Sequence, residues 1–422
     1  MFRKSYSSSS NRHPSSRGGG FNRSRFSGGA SRRSIGGKGG GRNVQARSPR
    51  PASRGKSTFD VTAFVNKVVT KPTVTQFSPK HKFTDFGLDK ELEEVITQKG
   101  YIDPTPIQDG IIPLIMAGRD VVGLANTGTG KTAAFLLPLI HQIRHQSSGR
   151  VLILTPTREL AIQIQQEFRS FVPKSGMRAV VCVGGANIST QIRDMRHHHQ
   201  FVIGTPGRIL DLMKRGVLKL DDVKIIVLDE ADRMLDMGFI GDMRFVMSKM
   251  PKPRRTLFFS ATMSPDISRL INDFLHEPVT VSVATQAIPT NIEQDVVRLN
   301  GRTRVDVLVE LLTDSAYKKV LVFGRTKHGV EKLSKILVNR GIKADSIHGN
   351  KSQGGRQRSL KQFKEGTIQA LVATDVAARG LDISNVTHVI NFDPPESRED
   401  YIHRIGRTGR GDQLGKALTF ID

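Results

Sequence analysis

The chain has 422 residues, 37% hydrophobic content and a formal net charge of +25, enough apolar material for two or three domains at roughly 100–200 residues each. So large an excess of Lys and Arg calls for a polyanionic partner, because each neutralised phosphate releases counterions. No apolar run approaches the roughly 18–20 residues that span a bilayer, the N-terminus lacks the apolar stretch of a signal peptide, and the single cysteine, Cys182, excludes an intrachain disulfide. We therefore expect a cytoplasmic chain that makes no membrane contact.

Residues 1–58 carry 14 Lys and Arg and no acidic residue, so more than half of the net charge lies in this Ser/Gly/Arg-rich tail. Too little apolar surface is available there to offset the entropy of ordering, and disorder is expected. Its runs Arg17-Gly18-Gly19-Gly20-Phe21 and Arg23-Ser24-Arg25-Phe26 mix guanidinium groups with stacking rings, as a sequence-tolerant RNA tether would. Residues 59–82 carry an apolar stripe at helical spacing (Phe59, Val61, Phe64, Val65, Val68, Val69) and read as an amphipathic linker.

After Phe83, short β-rich runs alternate with helix-length amphipathic stretches. The runs are Asp120 to Leu124, Val151 to Thr155, Arg178 to Val183, Phe201 to Ile203, Ile225 to Leu228 and Thr256 to Phe259. A loop from Ala284 to Pro289 follows, and the alternation restarts with Val320 to Phe323, Lys343 to Ile347, Gln369 to Ala373 and His388 to Asn391. Buried runs alternating with helices predict parallel sheets covered on both faces, hence two α/β domains, 83–287 and 288–422. Cys182 is expected to lie inside a buried strand.

The segment Ala125-Asn126-Thr127-Gly128-Thr129-Gly130-Lys131-Thr132 follows a predicted strand and opens a predicted helix. Gly128 and Gly130 let backbone N–H groups wrap phosphate oxygens, Lys131 reaches the β- and γ-phosphates, and Thr132 offers its hydroxyl to Mg²⁺. Ala125 stands where the general P-loop pattern has glycine. Such a loop needs a metal-holding acid at the end of another strand. Asp229 follows Ile225-Ile226-Val227-Leu228 directly, so it can hold Mg²⁺ largely through water while Glu230 polarises the attacking water. His197-His198-His199 has no acidic or Cys partner, and adjacent histidines do not converge on one ion, so we read it as a polar loop.

With both elements in place, the chain from Phe83 onward resembles the DEAD-box RNA helicases of superfamily 2, and most closely bacterial members with a basic extension. Asp229-Glu230-Ala231-Asp232 matches the family's name motif. The resemblance implies two RecA-like domains, ATP and Mg²⁺ as ligands, RNA gripped by its backbone, and RNA-stimulated ATP hydrolysis coupled to local strand separation or remodelling of RNA–protein complexes. Gly100 to Gln108 with Phe83 resembles the adenine-recognition segment: the Gln108 amide can pair with adenine N6 and N7, and Phe83 offers a ring for stacking. Ser260 and Thr262 of Ser260-Ala261-Thr262, together with His403, would couple the ATP site to domain closure. RNA contacts are implied at Pro156, Thr157, Arg158, Gly184, Gly185, Thr205, Pro206, Gly207 and Arg208 in the first domain. In the second domain they are implied at Arg325, Gln353, Arg356, Thr374 and Asp375; Gly354-Gly355 replace the longer polar residues common in that stretch. Arg407 and Arg410 in the run Tyr401 to Arg410 correspond to arginine fingers, and Asp382 would touch the ribose or position the attacking water. The catalytic set implied is Lys131, Asp229, Glu230, Arg407 and Arg410. The family's usual course leads us to expect a further helix beyond the strand Lys416 to Ile421, action as a monomer, and ribosomal or RNA-decay proteins as partners. Two rival readings remain at this stage: an RNA-annealing clamp driven by the tail, and a DNA translocase of the same superfamily.

Overall fold

The computed structural model describes Val65 and residues 77–421, apart from 127, 146–148, 174–175, 284–290, 379–382, 384 and 410–412. The tail 1–58 and most of the linker stripe therefore lie outside the described residues. So do Thr127, Asp382 and Arg410.

In the first domain a 3-10 turn (Phe83–Phe86) and helices α1 (Lys90–Gln98) and α2 (Pro106–Met116) precede the sheet. Seven strands follow: β1 (Val121–Leu124), β2 (Arg150–Leu154), β3 (Ala179–Cys182), β4 (Phe201–Gly204), β5 (Val223–Leu228), β6 (Arg255–Ser260) and β7 (Val279–Ser282). They are linked by α3 (Lys131–His145), α4 (Arg158–Phe171), α5 (Ile188–Met195), α6 (Pro206–Lys214), α7 (Ala231–Asp236), α8 (Ile240–Ser248) and α9 (Pro265–Phe274). The sheet is parallel throughout, in the order β3-β4-β2-β5-β6-β1-β7. The second domain has β8 (Ile292–Arg298), β9 (Val320–Phe323), β10 (Ala344–Ile347), β11 (Ala370–Ala373), β12 (His388–Asn391) and β13 (Gly415–Ile421), with α10 (Arg304–Thr313), α11 (Lys327–Asn339), α12 (Gln353–Lys364), α13 (Asp375–Ala378) and α14 (Arg398–Ile405). Its sheet, also parallel, runs β10-β11-β9-β12-β13-β8. The expected pair of parallel α/β domains is borne out.

The period-2 pleat divides each strand between two apolar layers. On β2, Val151 and Ile153 face one layer with Phe135, Phe168 and Phe259, while Leu152 and Leu154 face the other with Met243 and Phe258. On β9, Leu321 and Phe323 join one layer with Phe363, and Val320 and Val322 the opposite one. Helices start where sequence chemistry lets them. The hydroxyls of Thr157, Ser264, Thr303, Thr326, Ser352 and Ser397 each accept a backbone N–H at the start of a helix, replacing a bond that the helix itself cannot make. Two strands fall outside the apolar runs singled out above. β7 is an edge strand half open to solvent, and β8 alternates Ile292, Gln294 and Val296 with Glu293 and Asp295, which dilutes its apolar signal. Cys182 is fully buried in β3, and burial pushes its thiol up to about 12.

Because the layers of the two sheets are separate, single cavities should weaken the domains separately. Phe259→Ala and Phe363→Ala each remove a fully buried ring and are expected to cost about 3–5 kcal/mol. In urea titrations followed by domain-specific fluorescent labels, each change should shift its own domain's transition and leave the other in place.

Candidate active site

Parallel α/β sheets place ligands beyond the carboxyl ends of their strands, and the predicted phosphate loop lies there, between β1 and α3. Gly128 and Gly130 have φ of +87° and +92°, a region that L side chains rarely adopt. A Cβ on Gly130 would also come within 2.5 Å of Gln108 Nε2. That contact joins the adenine-type segment to the loop: Gln108 Nε2 donates to Gly130 O at 3.1 Å, and Gln108 Oε1 accepts from Thr105 N at 2.9 Å. An amide carries two N–H donors and two acceptor lone pairs, so each end of Gln108 keeps one for a further partner. Lys131 is buried and donates to Ala125 O at 2.8 Å. Phe83 is 5% exposed and packs against Phe86 and Tyr101, so its ring is mostly core.

The end of β5 presents Asp229 and Glu230, both 3% exposed. Asp229 Oδ1 is enclosed and makes no hydrogen bond. Burial pushes the Asp229 carboxyl up to about 6; Lys131 pulls it down, and the Glu230 charge raises it further. Glu230 sits at φ +54°, in the left-handed region. Its Oε2 accepts from Arg233 Nη1 at 2.9 Å, while its Oε1 is buried without a hydrogen bond. A strained non-glycine backbone and two under-satisfied carboxylates in one place mark a site held ready for a cation or a proton.

Asp232 carries the connection to β6. Its Oδ2 accepts from Ala261 N at 3.0 Å, Thr262 N at 3.2 Å and Thr262 Oγ1 at 3.4 Å, and Ser260 Oγ donates to Thr262 O at 2.8 Å. The acidic motif and Ser260-Ala261-Thr262 thus form one hydrogen-bonded unit. Beyond β2 and β3, Arg158 lies against Gly184 and Gly185. Gly185 has φ +72°, and a Cβ there would collide with the Arg158 guanidinium. Burial, with Arg356 and Arg208 close by, holds Arg158 below its ordinary pKa. Glu159, paired with Arg356, offsets part of this charge and leaves Arg158 and Arg208 to favour an anion. Pro206 starts α6 immediately after Thr205, and Arg208 Nη1 donates to Ala186 O at 3.4 Å.

In the second domain, Arg404 donates to both Asp375 oxygens at 2.6 and 2.7 Å, to Asn391 Oδ1 at 3.2 Å and to Asp393 O at 2.6 Å. The Asp375 carboxylate is therefore engaged within the domain. Arg407 is 4% exposed, and its Nε donates to His403 O at 3.2 Å. Thr374 closes β11, Arg325 is exposed after β9, and the Gln353 amide is enclosed without a hydrogen bond. One contact crosses between the domains: Arg356 of α12 donates from Nε and Nη2 to the two oxygens of Glu159 on α4, both at 2.6 Å, with both side chains buried. Glu159, Arg233 and Arg404 are the residues to which sequence reasoning gave no role of their own, and Asp232 was placed in the acidic motif without its link to β6. Their signal is only a charged type at a position where a helix meets a sheet. His199 is also more enclosed than a polar loop suggests: Arg150 Nη1 lies 2.9 Å from its Nε2, and its Nδ1 is 2.7 Å from His197 O.

A phosphate loop facing paired acids in the first of two tandem RecA-like domains defines a P-loop nucleoside triphosphatase. The DEAD/DEAH box helicase family pattern matches residues 105–270, and the helicase conserved C-terminal domain matches residues 303–412. The ATP-dependent RNA helicase CshA of Listeria monocytogenes is 48% identical over 342 residues, covering 81% of this chain and 66% of that protein. A Geobacillus kaustophilus DEAD-box relative of the same name is 46% identical over 80% of this chain and 73% of its own length. Among solved structures, S. cerevisiae Dbp5 bound to RNA and ADP BeF3 superposes with a TM-score of 0.72 at 30% identity, covering 81% of this chain and 89% of that one. Mss116p bound to ssRNA and AMP-PNP gives 0.73 at 31% identity, covering 80% and 73%. The chain belongs to the DEAD-box ATP-dependent RNA helicases. The rival readings as an annealing clamp or a DNA translocase give way to it. Among the described residues no helix is long and apolar enough to cross a membrane.

The Asp229 environment has a thermodynamic signature. In nucleotide-free, chelator-treated protein, the folded carboxyl keeps its proton up to about pH 6, against an ordinary value of 3.8. The folded state binds more protons than the unfolded chain between these values, so stability falls as pH rises through them and stays reduced above. Asp229→Asn is therefore expected to stabilise the empty protein by roughly 1–3 kcal/mol at pH 7. Chemical denaturation should show no gain below about pH 4, where both side chains are neutral.

Proposed function

We propose that the chain is an RNA-stimulated, Mg²⁺-dependent ATPase that separates short duplexes by gripping one strand across both domains. The observation that carries this reading is the dry Arg356–Glu159 pair. It joins α12 to α4 beside Arg158, so the RNA-facing loops of both domains meet where the domains touch.

The residues present fit a magnesium ion. A buried carboxylate whose Oδ1 lacks a hydrogen bond, and whose charged form is disfavoured by burial, is stabilised by a cation. Asp229 and the Thr132 hydroxyl would hold Mg²⁺, largely through water, and when bound it neutralises phosphate charge. Lys131 exchanges Ala125 O for phosphate oxygens. Gln108 offers its remaining donor and acceptor to adenine, with Phe83 beside it. Glu230 accepts a proton from the attacking water once Arg233 yields its oxygen. Arg407 and Arg410 bring positive charge to the γ-phosphate from the second domain, and Asp382 supports the ribose or the water. Such fingers are worth about 10³–10⁵ in rate where they have been removed.

On the RNA side, Thr157, Arg158, Gly184, Gly185, Thr205, Gly207 and Arg208, with Arg325, Gln353 and Thr374, line a sugar–phosphate track that ignores base identity. Asp375 acts there through Arg404 and not by direct contact. Asp232 transmits closure, because the same carboxylate oxygen holds Ala261 and Thr262. A single, buried cysteine suits a reducing cytoplasm, and the basic tail adds a sequence-tolerant tether.

Glu230→Gln should keep nucleotide binding, read by a fluorescent ATP analogue, while lowering RNA-stimulated kcat by about 10²–10⁴. Unimpaired hydrolysis in this variant would refute the assignment of the base. Arg356→Ala leaves the Glu159 charge uncompensated on closure and is expected to raise the RNA concentration for half-maximal ATPase roughly 10–100-fold. The double variant Glu159→Ala/Arg356→Ala should lose less than Arg356→Ala alone, and an equal or greater loss would sink the pairing argument.

A further inference from the structure

We propose that Asp89, His141 and His145 form a binding site for a zinc-type divalent transition ion, clamping α1 to the C-terminal end of α3. The two histidines stand four residues apart on α3, the spacing at which one helix face presents two imidazoles to a single zinc ion. Asp89 occupies the N-cap position of α1, where an aspartate ordinarily accepts a backbone N–H, yet its side chain makes no capping bond. It turns instead to the imidazoles. Asp89 Oδ1 contacts His145 Nε2 and lies 3.3 Å from His141 Nδ1, and one donor atom from each of the three residues falls within 4.8 Å of the others.

One oxygen does not satisfy two rings. His145 takes it, and His141 Nδ1 remains enclosed without a hydrogen bond although the oxygen is near. The three donor atoms are close enough together to share one ion. Zinc with bonds of about 2.0–2.1 Å spaces tetrahedral donors ~3.4 Å apart, so an edge at the 4.8 Å limit must contract by about 1.4 Å and the short Asp89–His145 contact must open. His145, 59% exposed, is free to swing by that much. Arg144 does not compete for Oδ1: its Nη1 sits 3.3 Å from the other Asp89 oxygen and 3.1 Å from Glu91 Oε2. With neutral imidazoles, two carboxylates against one guanidinium leave the cluster at net −1, which favours a cation. Two histidines and one carboxylate are a zinc-type donor set with a fourth position left for water.

α3 begins with Lys131 and Thr132, and α1 lies between Phe83 and Gln108. A bound ion would therefore restrain the adenine-side segment against the far end of the helix that starts at the phosphate loop. The site itself does not depend on the ATPase reading.

The test titrates chelator-treated, nucleotide-free full-length chain with Zn²⁺ by calorimetry, with Co²⁺ absorption in the visible as a coordination signature. One zinc per chain is expected, with a rise in thermal midpoint. His145→Ala, at an exposed position that tolerates truncation, and His141→Ala should each lower the affinity by at least ~10-fold, while His198→Ala leaves it unchanged. The proposal is overturned by a wild-type chain that gives neither heat nor a Co²⁺ spectrum. It is equally overturned by a His145→Ala variant that folds and titrates like wild type, or by binding that vanishes with His198→Ala.

Discussion

A guanidinium from one domain seated on a carboxylate from the other, with water excluded from both, is the electrostatic constraint that joins the two domains. Arg356 and Glu159 satisfy each other with two charge-assisted bonds at 2.6 Å. Dry charges are tolerated only in pairs, and losing one partner costs about 3–5 kcal/mol. The domains therefore separate only when both charges regain water, and they close only when both lose it together. This makes contact between them all-or-none and not graded. Whatever fills the neighbouring arginine-rich surface of Arg158 and Arg208 shifts that balance, because an anion there relieves the mutual repulsion that burial imposes.

A second set of bonds ties the acidic motif to the loop after β6. Asp232 lies one residue beyond Ala231 in the acidic motif, yet its Oδ2 accepts from the Ala261 and Thr262 groups after β6. A shift in the acids after β5 is therefore a shift in the loop after the neighbouring strand. Gln108 does the same on the other flank, binding Thr105 N and Gly130 O at once. The Gln108 segment is thus tied to the Gly-rich loop, and the acidic motif to the loop after β6, through backbone atoms.

Most of this was legible in the sequence because the signals are local. Apolar runs ending in Gly-rich or acidic segments located β1 and β5, and their spacing located the phosphate loop and its opposing acids. β8 was not legible: its half-exposed face carries Glu293 and Asp295, which interrupt the apolar run. Nor was the bridging pair, because Glu159 and Arg356 are 197 residues apart and nothing local marks a charge that will be buried by another domain. Asp375 shows the same limit: its motif is local, but the Arg404 guanidinium that holds its carboxylate is a long-range partner that only folding supplies.

Glu230 has a bearing on how such a chain drifts when selection on turnover is lifted. It holds a left-handed backbone that glycine or asparagine would adopt with less strain, and it packs a second carboxylate beside Asp229 at a point with too few partners. Its Oε2 is nevertheless held by the buried Arg233, so only Asp229, whose charged form burial disfavours, can be neutralised to the benefit of the folded state. If the proposed function holds, copies freed from hydrolysis should therefore lose Asp229 early and keep the Glu230–Arg233 pair and the buried bridge between the domains.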